Sequence, residues 1–454
     1  MFLTFFEHTG AALATITIAC LAMLSAAKKL SGNYLSVSFI FFLFMSLYGI
    51  LGPLAALSEE GLSPVFVRPY LTDKYIFGFS LAVLGSVCAI VTRSLVSRPP
   101  TPRLLGKRFT DATSATTVAY LFALSASAFE LVNIFRTGGA SLLFGGKAAY
   151  QGAMSDIAGT IPSEWFLYAG VAMLGLSFYP ETIKPRRVIS FLLLSLPIIS
   201  SWILLGKRFE IVACVLIFSI TLRAFNPIDR ISFKYAGLAI AAYVAVSALY
   251  IIRPWIYPAY IHGDIGILLN NISNIDIWVA TLNPTSNEFQ APFGNFNTQI
   301  VLGMVPEEQH GLTYLGGMAE PIPRFIWPDK PISATYQFRD TYFSSWSERG
   351  SIAGTGFSSM LEGYINFGLA GIFLAFYIAG FGILWMERIA MKRANVWHLS
   401  FYSLMVPFAI FFSRNNLGNP VVIPAAFSFL CFAMYNAVLY FRMKSRLSPI
   451  TIVE

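Results

Sequence analysis

An all-α polytopic membrane protein is the fold class this sequence predicts, and three observations predict it. Charged residues make up 12% of the 454-residue chain, against roughly 25% in soluble globular domains. Apolar runs close to the ~20 residues needed to cross a bilayer recur along the chain. Short basic clusters fall on alternate links between those runs, the pattern that the positive-inside bias produces.

Taken in order, about eleven apolar runs read as transmembrane helices: 9–27, 35–57, 75–92, 116–135, 164–179, 188–205, 208–225, 235–252, 363–385, 397–412 and 421–441. Basic residues follow every second one. They are Lys28 and Lys29; Arg93, Arg98, Arg103, Lys107 and Arg108; Lys184, Arg186 and Arg187; Arg223, Arg230 and Lys234; Arg388, Lys392 and Arg393; and Arg442, Lys444 and Arg446. Eleven spans put all of these on one side, and their sign makes that side cytoplasmic. The N-terminus is then expected to be periplasmic and the C-terminus cytoplasmic. The opening MFLTFFEHTG has no basic stretch before the first run, so that run reads as a span rather than a cleaved leader.

The same pattern disposes of other classes. A net charge of +8 would suit a nucleic-acid binder, but the basic residues sit at span ends rather than on one patch. Cys20, Cys88, Cys214 and Cys431 each lie inside an apolar run with no CxxC spacing, so neither a disulfide framework nor a zinc site is expected. No cluster of metal-ligand spacing and no Gly-x-Ser-x-Gly elbow occurs. The glycines around Lys147 follow no strand and lack the Lys-Ser/Thr of a phosphate-binding loop. No cofactor is expected.

Three regions result: helices 1–8 over 1–252, one long periplasmic loop with short helices over 253–362, and helices 9–11 over 363–454. The loop caps the expected active-site cavity. It mixes Pro, Trp and Ile with charge, so it should fold against the helices. ATP, GTP and nucleotide sugars are not available on that side.

Candidate chemistry gathers on the outer face. Lys207 and Arg208 sit at the mouth of two adjacent spans, where unpaired charge is costly and an anionic ligand would justify it. A guanidinium grips phosphate oxygens with two parallel hydrogen bonds. The bland reading is snorkelling, or pairing with Glu210. The loop adds Arg253, Arg324, Lys330, Arg339 and Arg349, and the last outer link adds Arg414. The run from Glu320 to Pro331 holds four prolines with Arg324, Trp327 and Lys330, a stiff segment suited to a binding wall or to a structural loop. Glu362 opens the ninth span, and partial desolvation would make it a better proton acceptor. The bland reading there is a helix-end carboxylate tied to an arginine. His310 is a second candidate base, and loop histidines are commonly just solvated. His262 is a weaker candidate still, and His8 and His398 sit at span ends without company.

The Gly206-Lys207-Arg208 turn, the PRFIWPDKP run at 323–331, the EGYINFG run at 362–368 and Arg414 together resemble the Wzy-type oligosaccharide repeat-unit polymerases, the O-antigen polymerases. The spacing of Arg339 and Gly350 is similar to an arginine–glycine motif of some members. Arg136 has Lys147 where a second copy would need glycine. The resemblance implies a membrane glycosyltransferase of the GT-C type in the bacterial inner membrane, acting in polysaccharide and lipopolysaccharide biosynthesis. Its substrates would be oligosaccharides on undecaprenyl pyrophosphate, with no metal required. The growing glycan would pass to the non-reducing end of an incoming lipid-linked repeat. Arg208, with Lys207 and Arg324 or Arg339, would hold the pyrophosphate; Glu362 or His310 would take the proton. Trp255, Tyr314, Trp327, Tyr336 and Trp346 would stack on sugars. The expected partners are the lipid-linked substrate, the bilayer and a chain-length regulator, with no nucleic acid.

Two other functions fit the architecture. An O-antigen ligase would move finished glycan onto a lipid A core. A polysaccharide or lipid transporter would place charges within several spans and break helices in paired repeats.

Overall fold

The computed structural model describes residues 9–57, 69–96, 111–139, 143, 162–178, 183–205, 207–224, 233–282, 293, 296, 309–319, 322, 326–334, 337, 358–413 and 422–447. Among these, all regular structure is helical. Each of the eleven apolar runs contains helix, because a backbone surrounded by lipid must satisfy its hydrogen bonds within its own segment. The helices are α1 (Thr9–Ser31), α2 (Val37–Leu57), α3 (Pro69–Val96), α4 (Ala112–Arg136), α5 (Ser163–Leu176), α6 (Pro185–Leu194), α7 (Leu196–Leu205), α8 (Arg208–Arg223) and α9 (Phe233–His262). The short α10 (Ile265–Ser273), α11 (Ile275–Leu282) and α12 (Leu312–Ala319) follow, then α13 (Ser359–Arg393), α14 (Val396–Leu404), α15 (Val406–Phe411) and α16 (Val422–Leu447).

Six of the described helices are long and apolar enough to cross a membrane, and a seventh span results if the bent pair α6–α7 is one crossing. Two of the runs read as single spans are broken. Run 188–205 bends by 65° between α6 and α7, next to Pro197, which supplies no amide hydrogen and disfavours helix in the residue before it. Run 397–412 divides into α14 and α15 at Pro407. With 14 and 16 residues, α5 and α8 reach only about 21 and 24 Å at the α-helical rise, short of a ~30 Å hydrocarbon core. At the far end of the eighth run, α9 continues through Arg253 to His262. Arg253 therefore lies within a helix, and its side chain is outside the described set.

The core forms where helix backbones approach closely. The pair α3–α13 is the most extensive contact. A Cβ on Gly85 would stand 2.4 Å from the Phe373 carbonyl oxygen, so α3 meets α13 at a position only glycine fits. Phe41, Phe42, Phe376 and Phe412 interlock beside it. A second group packs α5 between α4 and α8. All four cysteines are free, and Cys20 and Cys431 are fully buried as small apolar side chains.

Two polar clusters tie helix starts to helix ends. Glu387, near the end of α13, accepts from Ser38 Oγ at 2.5 Å and from the Tyr402 hydroxyl; Tyr402 in turn accepts from the Val37 amide at 2.9 Å. Arg93, at the end of α3, lies within electrostatic reach of Glu387, and both are buried. Asp111 caps α4 by accepting from the Ser114 amide at 2.8 Å, and it pairs with Arg442 near the end of α16. Each cluster joins the start of one helix to the end of another: α2 to α13, and α4 to α16. Glu387→Ala leaves the buried Ser38 and Tyr402 hydroxyls without their acceptor. It is expected to cost about 1–3 kcal/mol, read as a lowered melting temperature of the purified protein in detergent. An unchanged melting temperature would show that the cluster adds no stability.

Candidate active site

Glu362 does not open the ninth span, as the apolar run alone indicates. Helix α13 is two helices joined at a fold-back. Phe367 (φ −146°, ψ 25°) and Gly368 (φ 60°, ψ −149°) leave helical geometry, so 359–366 forms a separate short helix. That combination at Gly368 is essentially confined to glycine. The fold-back then presses backbone on backbone: a Cβ on Gly371 would sit 1.9 Å from the Gly363 carbonyl oxygen. Glycine at these positions lets the chain reverse, and the reversal buries Glu362 and Asn366 completely. Glu362 lies in the first turn of the short helix, where the free amide groups favour negative charge.

The outer segment docks on this short helix through α12. The Gln309 amide donates to Ile365 O at 2.9 Å. His310 (φ 45°) and Gly311 (φ 90°) turn the chain through left-handed conformations, and the Gly311 amide then donates to Asn366 Oδ1 at 2.8 Å. Asn366 Nδ2 donates to Thr313 Oγ1 at 2.6 Å and to Glu362 O at 2.8 Å. Thr313 Oγ1 donates to Glu362 Oε1 at 3.1 Å. Tyr314 stands beside them with its hydroxyl buried and, among the described residues, without a partner. Burial, and after it the Glu362 carboxylate, pushes that phenol above its usual range. His310 itself is exposed, next to residues that hold Glu362. At the other end of α12, Lys330 Nζ donates to Ala319 O at 3.2 Å and Ile322 O at 2.6 Å, tying the 327–330 turn to the helix terminus. Trp327 on that turn is exposed.

A chain of contacts leads from Glu362 to Arg208. Ser359, one helical turn before Glu362, donates its hydroxyl to the Phe412 carbonyl at the end of α15. Phe411, one residue earlier, packs its ring 5.2 Å from that of Phe209 at the start of α8. Arg208, also at that start, lies 5.7 Å from the Phe209 ring and is half-buried. The ends of α15 and the starts of α8 and α13 thus gather at one end of the bundle.

Lys207 caps α8 in a carboxylate-rich setting. Burial works against its charge, but Glu164, Glu210 and Glu130 together raise its affinity for the proton above the usual lysine value. Glu130 is 2% exposed and is held by the hydroxyls of Ser163 and Ser201, each at 2.6 Å. Sequence reading had named Glu210 alone as a possible partner. Glu130 and Glu164 were missed, although Glu130 carried a signal as the single carboxylate inside run 116–135. Thr313 and Asn366 carried none, because neutral polar residues are common in outer segments. Glu320, Arg324, Arg339, Arg349, Arg414, Tyr336 and Trp346 lie outside the described residues. Among the described residues, no three His, Cys, Asp or Glu side chains converge as a metal site.

Helical spans, lipid-facing apolar surface and polar clusters at helix ends define a multi-pass membrane protein. Residues 334–444 match the family O-antigen polysaccharide polymerase Wzy. That stretch holds the fold-back, Glu362 and Asn366, and the resemblance to Wzy-type polymerases holds over it. No curated protein and no solved structure matches the chain. Gly371→Ala forces the Gly363 carbonyl aside and is expected to cost on the order of 1–3 kcal/mol. The check is the melting temperature of the purified protein in detergent, and wild-type melting would show that the fold-back tolerates a side chain.

Proposed function

We propose that this protein polymerises undecaprenyl-pyrophosphate-linked oligosaccharide repeat units in the bacterial inner membrane. In this reading the chain crosses the membrane eleven times, with its N-terminus periplasmic and its C-terminus cytoplasmic. The segment 253–362 forms the periplasmic cap, and the site faces the periplasm. One observation carries the reading. A fully buried carboxylate, Glu362, lies at the same end of the bundle as the Lys207–Arg208 turn, linked through Ser359, Phe412, Phe411 and Phe209. The family match over 334–444 supports the same reaction class.

The chemistry is a glycosyl transfer. A hydroxyl oxygen at the non-reducing end of the incoming repeat attacks the anomeric carbon of the growing glycan. The bond from that carbon to the pyrophosphate oxygen breaks, and its electron pair leaves with undecaprenyl pyrophosphate. Glu362 takes the hydroxyl proton, with His310 on the adjoining turn as the alternative acceptor. Arg208 stabilises the charge that develops on the departing pyrophosphate, assisted by Lys207 and by Arg253, Arg324, Lys330, Arg339, Arg349 or Arg414 from the cap and last outer link. Preorganised cations of this kind supply much of the rate of such reactions. Glu320 and Trp327 would contact the glycan. A chain-length regulator would act on the same face. Transfer in this scheme needs no metal.

Glu362→Gln is expected to lower turnover by about 10²–10⁴-fold in proteoliposomes given lipid-linked repeats, while His310→Ala costs less. The reverse ranking would move the base to His310. Arg208→Lys keeps the charge and loses the fork; much reduced polymer with normal membrane insertion is expected, and wild-type chain lengths would remove Arg208 from the mechanism. Activity should survive a chelator, and its loss would contradict metal-independent transfer.

A further inference from the structure

We infer that Thr313 and Asn366 are positioning residues that fix the orientation of the Glu362 carboxylate for proton transfer, and this rests on Glu362 being the base. The hydrogen bonds have one direction. The Gly311 amide can only donate, so it holds Asn366 Oδ1 as the acceptor. That assigns the other amide atom as Nδ2, which donates to Thr313 Oγ1 at 2.6 Å and to Glu362 O at 2.8 Å. With its oxygen already accepting, the Thr313 hydroxyl turns its proton to Glu362 Oε1 at 3.1 Å. Thr313, Glu362 and Asn366 are all fully buried, so water does not compete for these bonds.

The arrangement is more than a helix clasp. Two of its members, Gly311 and Thr313, come from the outer segment, and two, Glu362 and Asn366, from the fold-back helix. The Gln309 amide on Ile365 O fixes the register between them. Docking of α12 and orientation of the carboxylate are therefore one event. A substrate that displaces α12 would also release Glu362.

The test compares Thr313→Val, which keeps shape and loses the donor, with Thr313→Ser, which keeps the donor. Glu362→Gln and the double variant Thr313→Val/Glu362→Gln complete the set, each reconstituted as full-length protein with a lipid-linked repeat. Thr313→Val is expected to lower kcat by up to about 100-fold with KM little changed, and Thr313→Ser to restore it. In the Glu362→Gln background, Thr313→Val should add no further loss, because the group it positions is already gone. A wild-type kcat in Thr313→Val overturns the inference, as does equal loss in the valine and serine variants, or the same cost in both backgrounds. If Glu362→Gln alone keeps the wild-type rate, the base assignment fails and this inference with it. If Glu362→Gln is impaired and Thr313→Val is not, only the positioning role fails.

Discussion

The contact of the Gly363 carbonyl with the Cα of Gly371 is the constraint on which the outer end depends. It exists because Gly368 adopts a conformation that side chains exclude, so the chain reverses within two residues. The reversal converts the start of an apolar span into a short helix lying against it. Three consequences follow. Glu362 is buried instead of reaching the lipid interface. The short helix offers Ile365 O and Asn366 Oδ1 as docking points for the outer segment. Ser359 is left to bond the Phe412 carbonyl, which brings α15, and with it the start of α8, to the same place.

Buried carboxylates recur in this chain, and the described structure surrounds each with donors. Glu130 has Ser163 and Ser201, Glu387 has Ser38 and Tyr402, and Glu362 has Thr313. A charge taken out of water is tolerated only with such partners. The three differ in what supplies them. The donors to Glu130 and Glu387 come from helices packed firmly in the bundle. The hydroxyl donor to Glu362 comes from α12, in the segment that precedes the fold-back helix.

How far the sequence could be read depended on whether the cause was local. Each of the eleven apolar runs contains helix, because lipid imposes a length bias that composition records, while α10, α11 and α12 lie outside those runs. The breaks beside Pro197 and at Pro407 have a local cause, proline acting on its own turn, but hydropathy alone reads across both. The fold-back was not visible as a break. Hydropathy passes smoothly over Phe367, and the glycines at 363, 368 and 371 look like ordinary small residues of a packed helix. Thr313 lies 53 residues from Asn366, and only tertiary docking makes them partners. Lys330 holds two backbone carbonyls, at Ala319 and Ile322, a contact that its place in a proline-rich run does not indicate. Lys207, expected from the sequence to face an anion, sits among three carboxylates, two of them outside its own turn.

A membrane interior rejects charge, and here a carboxylate is carried inward on a reversed helix while Lys207 and Arg208 stand at the start of α8. The most direct measurement is reconstitution of the purified protein in liposomes with one substrate, the undecaprenyl-pyrophosphate-linked repeat, and no other acceptor. A ladder of glycans spaced by one repeat unit is expected. Product that forms only after a lipid A core acceptor is added would contradict polymerisation and identify a ligase.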